Sequence, residues 1–273
     1  QIAYIMYDNG MQMCVEAQPG ADAICVSGRN GYLGAPYWSP DGEWIAFYAD
    51  QSLVSSMGTP GLAKMLLQGP ARHNLFKMRA DGSELTQLTF AQNSFNTRQA
   101  WSPDSQQIVY VSAEVYGGPG DVWIMNADGS DAKMIFARAQ KGYSEHAAWS
   151  PDGQWLATPS QDGGLWMFRP DGSEAHLLEG TQGMENISGV TWSPTASGYP
   201  LFFRNLQTGA TAPDVYYIAE AGAQPQRFGS FWWGPYWSPD GSRVALGTYT
   251  LIDDQHVYCE IDLFQVVKPF WEP

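Results

Sequence analysis

The side chains with most chemistry to offer are four histidines, His73, His146, His176 and His256, together with Glu145 and the adjacent carboxylates Asp253 and Asp254. Histidines gathered at one point would hold a transition metal or move protons, and two carboxylates across a cleft would act as general acid and base. The spacing supports neither. The histidines fall at different phases of an internal repeat, so three of them do not converge on one ion, and neighbouring residues such as Asp253 and Asp254 diverge. The chain has no G-x-S-x-G elbow, no H-E-x-x-H, no C-x-x-C and no phosphate-binding glycine loop. The segment NADGSD, Asn126 to Asp131, opens like a calcium loop but lacks the closing glutamate at the twelfth position. It recurs as ADGSE at Ala80 and PDGSE at Pro170, which is the behaviour of a hairpin turn. No cofactor is predicted, a structural cation such as calcium being the one exception left open.

Any site must be positioned by the repeat. W-S-P occurs at Trp38, Trp101, Trp149, Trp192 and Trp237, at spacings of 63, 48, 43 and 45 residues. A period in the mid-forties suits four short strands joined by three turns. An approach strand ends at each indole, as in GAPYW and EHAAW. Ser-Pro-Asp-Gly then turns the chain: proline presets φ, aspartate binds nearby backbone, and glycine takes the positive φ. A second strand follows (EWIAFYA, QQIVYVS, SRVALGT), then a variable connection and a third strand (NLFKMRA, DVWIMNA, GLWMFRP, DVYYIAE). Another glycine turn leads to a fourth (LTQLTF, AKMIFA). Third strands this rich in aromatic and β-branched residues suit sheets covered on both faces. The class is all-β. The tryptophan reads as a wedge between sheets, since one four-stranded sheet cannot bury both its faces alone.

These five W-S-P units resemble the WD-repeat-like β-propeller repeat of the TolB type over nearly the whole chain. The resemblance implies a six-bladed propeller of four-stranded antiparallel blades in a single domain, 1–273. Its units are expected near 1–30, 31–92, 93–140, 141–182, 183–229 and 230–273. The fourth motif departs from the pattern, with Thr195-Ala196 in place of Asp-Gly. Proteins of this type carry an α/β domain ahead of the propeller, to which nothing here corresponds, so their partner interactions are not carried over. The first unit matches strands two to four without an inner strand. Tail residues near Phe264 to Trp271 are expected to close the ring by pairing with it, which would leave no sheet edge exposed.

In a propeller the approach to each inner strand lies at the mouth of the central channel. Six residues before each tryptophan stand Tyr32, Phe95, Tyr143, Asn186 and Phe231; five before, Leu33, Asn96, Ser144, Ile187 and Trp232. Four before stand Gly34, Thr97, Glu145, Ser188 and Trp233; three before, Ala35, Arg98, His146, Gly189 and Gly234. Repeated identity signals structure, whereas variation at equivalent positions is where a ring encodes a ligand. Arg98, Glu145, His146, Trp232 and Trp233, beside the aromatics Tyr32, Phe95, Tyr143 and Phe231, are therefore the candidate site. Flat rings beside hydrogen-bonding groups suit a sugar or a peptide side chain. The opposing reading has the rings plugging the channel mouth and Arg98 paired with Glu145.

The long first spacing marks an insertion at 51–73. Its GLAKMLLQG stretch, bounded by Pro60 and Gly69-Pro70, has the form of a short helical turn. Leu62, Met65, Leu66 and Leu67 would then form a partner patch or cover a blade edge. Cys14 and Cys25 bracket a Pro19-Gly20 turn symmetrically, which sets them opposite each other within disulfide reach; two buried free thiols are the alternative. Cys259 is left over. Asn186 to Ser188 fits a glycosylation sequon, which has meaning only on a eukaryotic secretory route.

A formal charge of −14 repels phosphate backbones and anionic lipid, so neither nucleic acid nor a membrane surface is an expected partner. No apolar run reaches the roughly 18 residues of a membrane span. The expectation is a secreted or periplasmic protein that binds a protein or glycan without catalysis. The alternatives are a polysaccharide lyase or hydrolase at the channel mouth, resting on Glu145 and His146, and a self-associating subunit of an extracellular polymer.

Overall fold

The computed structural model describes residues 2–7, 11–16, 22–27, 33–34, 36–50, 73–91, 94–115, 120–137, 147–160, 163–195, 201–205, 212–231, 233–238, 240–253 and 256–265. Among these residues every regular element is a strand. The strands form antiparallel sheets within two compact units, 1–139 and 140–273.

In the first unit, β1 (Ile2–Tyr7), β2 (Met11–Glu16) and β3 (Ile24–Ser27) make a three-stranded first sheet. The second sheet is β4 (Tyr37–Trp38), β5 (Trp44–Asp50), β6 (His73–Arg79) and β7 (Thr86–Gln87). The third is β8 (Phe95–Trp101), β9 (Gln107–Ala113), β10 (Gly120–Asn126) and β11 (Lys133–Phe136). The second unit opens with the fourth sheet, β12 (Ala148–Trp149), β13 (Leu156–Pro159), β14 (Leu165–Phe168) and β15 (His176–Leu177). The fifth is β16 (Ile187–Trp192), β17 (Leu201–Asn205), β18 (Asp214–Ile218) and β19 (Gln226–Ser230). The sixth is β20 (Trp233–Trp237), β21 (Arg243–Asp253) and β22 (His256–Gln265).

Period-two alternation with both faces apolar explains the packing. On β5, Ile45, Phe47 and Ala49 point at Met13 and Val15 of the first sheet, while Ala46 points with Leu75 at Trp101, Ile108 and Tyr110 of the third. On β17, Leu201 and Phe203 join Ala157, Leu165 and Met167 of the fourth sheet, and Phe202 joins Val244 and Leu246 of the sixth. The tryptophan is the wedge expected. Trp101 is 7 % exposed and donates its indole N–H to the Tyr37 carbonyl of the preceding sheet at 3.1 Å; Trp192 does the same to Ala148 at 3.0 Å.

The first sheet lacks an inner strand among the described residues, as its sequence implies, and Cys14 faces Cys25 in a disulfide. Of the tail expected to close the ring, only the first residues are described. Phe264 and Gln265 pair with Val244 and Arg243 inside the sixth sheet, because β22 keeps register with β21 to its end; the tail beyond them, to Trp271, lies outside the described residues. Asp253 belongs to the end of β21, facing His256.

Candidate functional site

The antiparallel order places two kinds of connection at opposite ends of each sheet. The Ser-Pro-Asp-Gly and Asp-Gly-Ser turns share one end; the connections between second and third strands, and from one sheet to the next, share the other.

At the turn end the polar groups are committed to the fold. Ser39 donates its hydroxyl to Asp41 Oδ1 and accepts the Trp44 N–H, while Asp41 Oδ1 accepts the Glu43 N–H. Gly42 takes φ 73°, and in the third sheet Ser105 stands in the glycine's place at φ 61°. Its hydroxyl accepts the Asp41 N–H at 3.1 Å, tying neighbouring turns together. The same pattern holds at Ser102 with Asp104, Ser150 with Asp152, and Ser238 with Asp240. Hydrogen bonds from Ser238 and Ser242 hold the Asp240 carboxyl down at about 2, and similar bonds lower Asp41 and Asp104. Asp81, Asp128 and Asp171 each accept the N–H and hydroxyl of the serine two residues on, so the NADGSD segment is a turn whose carboxylate is already engaged. Cations here lie over rings: Lys77 Nζ and Arg79 Cζ sit 4.1 Å from the Trp44 centroid, and Arg169 Cζ sits 3.9 Å from that of Trp155. Among the described residues no three His, Cys, Asp or Glu side chains stand together as metal ligands.

The opposite end differs. Four of the inner strands carry an extra residue there. Pairing of β8 with β9 slips between Thr97 and Ala100, of β16 with β17 between Ser188 and Thr191, and of β20 with β21 between Trp233 and Tyr236. In the second sheet Leu33 bridges Ala49 while Tyr37 faces Ala46, which is the same slip. A β-bulge at a fixed position re-aims the residues before it. In the third sheet it turns Gln99 inward, where the fully buried Nε2 donates to the Ala46 carbonyl at 3.1 Å.

Beyond the bulge of the third sheet lies a group that sequence spacing did not bring together. His73 is 8 % exposed, and its ring lies edge-on to Phe95 at 5.1 Å and tilted against Tyr48 at 5.5 Å. A Cβ at Gly34 would stand 2.1 Å from the Tyr48 ring, so the glycine is what lets that ring lie across the backbone. Beneath, Asn74 Oδ1 accepts from Thr89 Oγ1 at 2.9 Å, from the Ala91 N–H at 2.8 Å and from Asn96 Nδ2 at 3.4 Å. Phe90 and Val115 are large apolar residues at this end that stay 59 % and 65 % exposed.

The predicted site residues are distributed as follows. Phe95 is half-buried against His73. Phe231 is 9 % exposed and packs into the core between the fifth and sixth sheets, near Phe228 and Val244. Leu33, Asn96 and Ile187, from the column five residues before the tryptophan, are also buried. Arg98 lies at the bulge of β8 and Trp233 opens β20. Tyr32, Tyr143, Glu145, His146 and Trp232 lie outside the described residues, as do Leu62, Met65, Leu66 and Leu67 of the insertion. His73 was visible as one of four histidines, but its partners Tyr48 and Phe95 come from other strands. Only sheet register brings them together.

Comparison with known proteins follows this geometry. The TolB beta propeller domain family matches residues 1–212. A Tol-Pal system protein TolB of Alcanivorax borkumensis is 33 % identical over 123 residues, 42 % of this chain and 27 % of that protein. The solved TolB of Acinetobacter baumannii superposes with TM-score 0.64 at 15 % identity, over 95 % of this chain and 60 % of that one. A putative TolB of Agrobacterium tumefaciens gives 0.62 at 18 %, over 90 % and 84 %. The chain thus spans 27 % of the curated relative's length, and the likeness to the solved structures is one of fold. The sheets described above are propeller blades.

Proposed function

We propose, for a chain that belongs to the TolB β-propeller family, that it is a non-catalytic binding propeller, six-bladed and extracytoplasmic, whose variable end recognises a protein. One observation carries this reading: exposed Phe90 and Val115 and half-buried Phe95 with His73 gather at the end bearing variable connections, whereas the polar groups of the other end are spent on their own turns. Apolar and aromatic side chains in a polar surround are the usual anchors of protein interfaces. The curated relative is named a Tol-Pal system protein, and a place in a system of proteins fits a protein ligand better than a glycan. Arg98 is proposed to extend the same surface, and Glu145, His146, Trp232 and Trp233 are proposed as ligand-contacting residues of the second unit.

The test immobilises the protein and exposes it in parallel to periplasmic extract and to a glycan array. Retention of a discrete protein partner, reduced at least ten-fold by Phe95→Ala combined with Phe90→Ser, is the expected result. Saturable glycan binding without protein capture would replace this reading.

A further inference from the structure

The first sheet is fastened at its edge by a covalent bond. Among the described residues β3 pairs with β2 alone, and in that register Cys14 stands directly opposite Cys25. The two ends of the disulfide differ in reach. Cys14, on the central strand, is 0 % exposed; its chain neighbours Met13 and Val15 are buried with Ile45, Phe47 and Ala49 of the second sheet. Cys25, on the outer strand, is exposed.

Thiol–disulfide exchange proceeds by attack of a thiolate on a sulfur it can reach, and exposed disulfides are the labile ones. A thiolate arriving from solvent meets Cys25 first. Opening the bond there would release β3, an edge strand of four residues. The central strand would keep its place, because β1 pairs with it from Ile2 to Tyr7 and its apolar side chains stay buried.

We propose that the Cys14–Cys25 disulfide is a redox switch, opened in the folded chain by a dithiol protein that attacks Cys25. The entering thiolate forms a new S–S bond to Cys25 Sγ. The Cys14 sulfur leaves with the electron pair of the old bond and takes a proton. The second thiol of the attacking protein, once deprotonated, displaces Cys25 from the mixed disulfide, and Cys25 is protonated in turn. The chain thereby gains two electrons and two protons, and the attacking dithiol becomes a disulfide. A monothiol does not complete this sequence. The freed Cys14 lies opposite Cys25 and expels the monothiol before a second molecule of it arrives, since the return is intramolecular.

The test uses the full chain with dithiothreitol and reduced glutathione as probes. Reduction by dithiothreitol is expected to be first order in the reagent and to change less than two-fold between 0 and about 1 M urea. A rate that rises at least five-fold with urea, as global unfolding would require, overturns the switch. Glutathione at equal thiolate concentration should leave over nine-tenths of the bond intact when dithiothreitol has finished; equal reduction by both refutes the dithiol requirement. The attacked sulfur is read from single variants titrated with an aromatic disulfide reagent, with wild type as the baseline for Cys259. Cys25 in Cys14→Ser should react at least ten-fold faster than Cys14 in Cys25→Ser, and equal rates contradict attack at Cys25. Amide hydrogen exchange of Ile24–Ser27 should rise at least ten-fold on reduction of wild type while Met11–Glu16 is unchanged. A joint rise across both strands would overturn the local release.

Discussion

The indole N–H separates tryptophans that are equivalent in sequence. Trp101 donates to Tyr37, whereas half-buried Trp237 lies beside Phe202 with its indole Nε1 buried and without an acceptor among the described residues. Trp101→Phe therefore loses a hydrogen bond as well as packing, and Trp237→Phe loses packing alone. The expected difference in urea unfolding is about 1 kcal/mol, with Trp101→Phe the more destabilised. Equal midpoints would show that the bond contributes nothing. The turn aspartates supply a pH dependence. Asp240 is held at about 2 in the fold against an ordinary value of 3.8, and Asp41 and Asp104 are lowered too. Between about pH 4 and 2 the unfolded chain binds these protons more readily than the folded one. Their contribution is present above that window and lost as pH falls through it. Asp240→Asn should therefore lower the unfolding midpoint at pH 6, with the gap from wild type closing by about pH 2. A gap independent of pH would contradict the assignment.

At the scale of elements, stability depends on what covers each sheet. The first sheet has three strands among the described residues, and the Cys14–Cys25 disulfide ties its hairpin across a sequence separation of 11. Closing a loop of that length restrains the unfolded chain by about 3 kcal/mol. Cys14→Ser with Cys25→Ser is expected to lose about 2–4 kcal/mol in chemical denaturation, and reduction of the wild type should match it. The small residue packed with Trp192 makes the opposite prediction about size. Ala157→Phe would crowd Trp192 and cost about 1–3 kcal/mol, seen as a lower midpoint at unchanged slope. The bulge that slips four of the inner strands by one residue was not legible in the sequence. It has no single residue type: Arg98-Gln99, Gly189-Val190 and Gly234-Pro235 all occupy it. That is why counting back from the tryptophan located the variable end but not which side chains face outward there. Phe231 and Asn96 are buried, and His73 with Tyr48, absent from those columns, stands beside Phe95.

For the whole molecule, the charge of −14 bears on association. A partner with a basic surface would be steered to this chain at low salt, and the steering weakens once the screening length falls below the separation of the charges. If the captured partner is basic, its association rate should fall at least ten-fold between about 20 and 300 mM salt with little change in dissociation rate. A rate insensitive to salt would assign recognition to the apolar group around Phe90 and Phe95 alone.

The sequence by itself determined the repeat, the all-β class, the turn chemistry and the opposition of Cys14 and Cys25. Each of these depends on residues close together in the chain, where spacing and backbone preference suffice. Only the tertiary structure decided that Trp237 lies against Phe202 with its indole Nε1 unpartnered, that Gln99 crosses to Ala46, and that Tyr48, His73 and Phe95 meet. Those contacts join strands distant in sequence, and a one-residue slip in register, which no local preference records, changes which side chains come face to face.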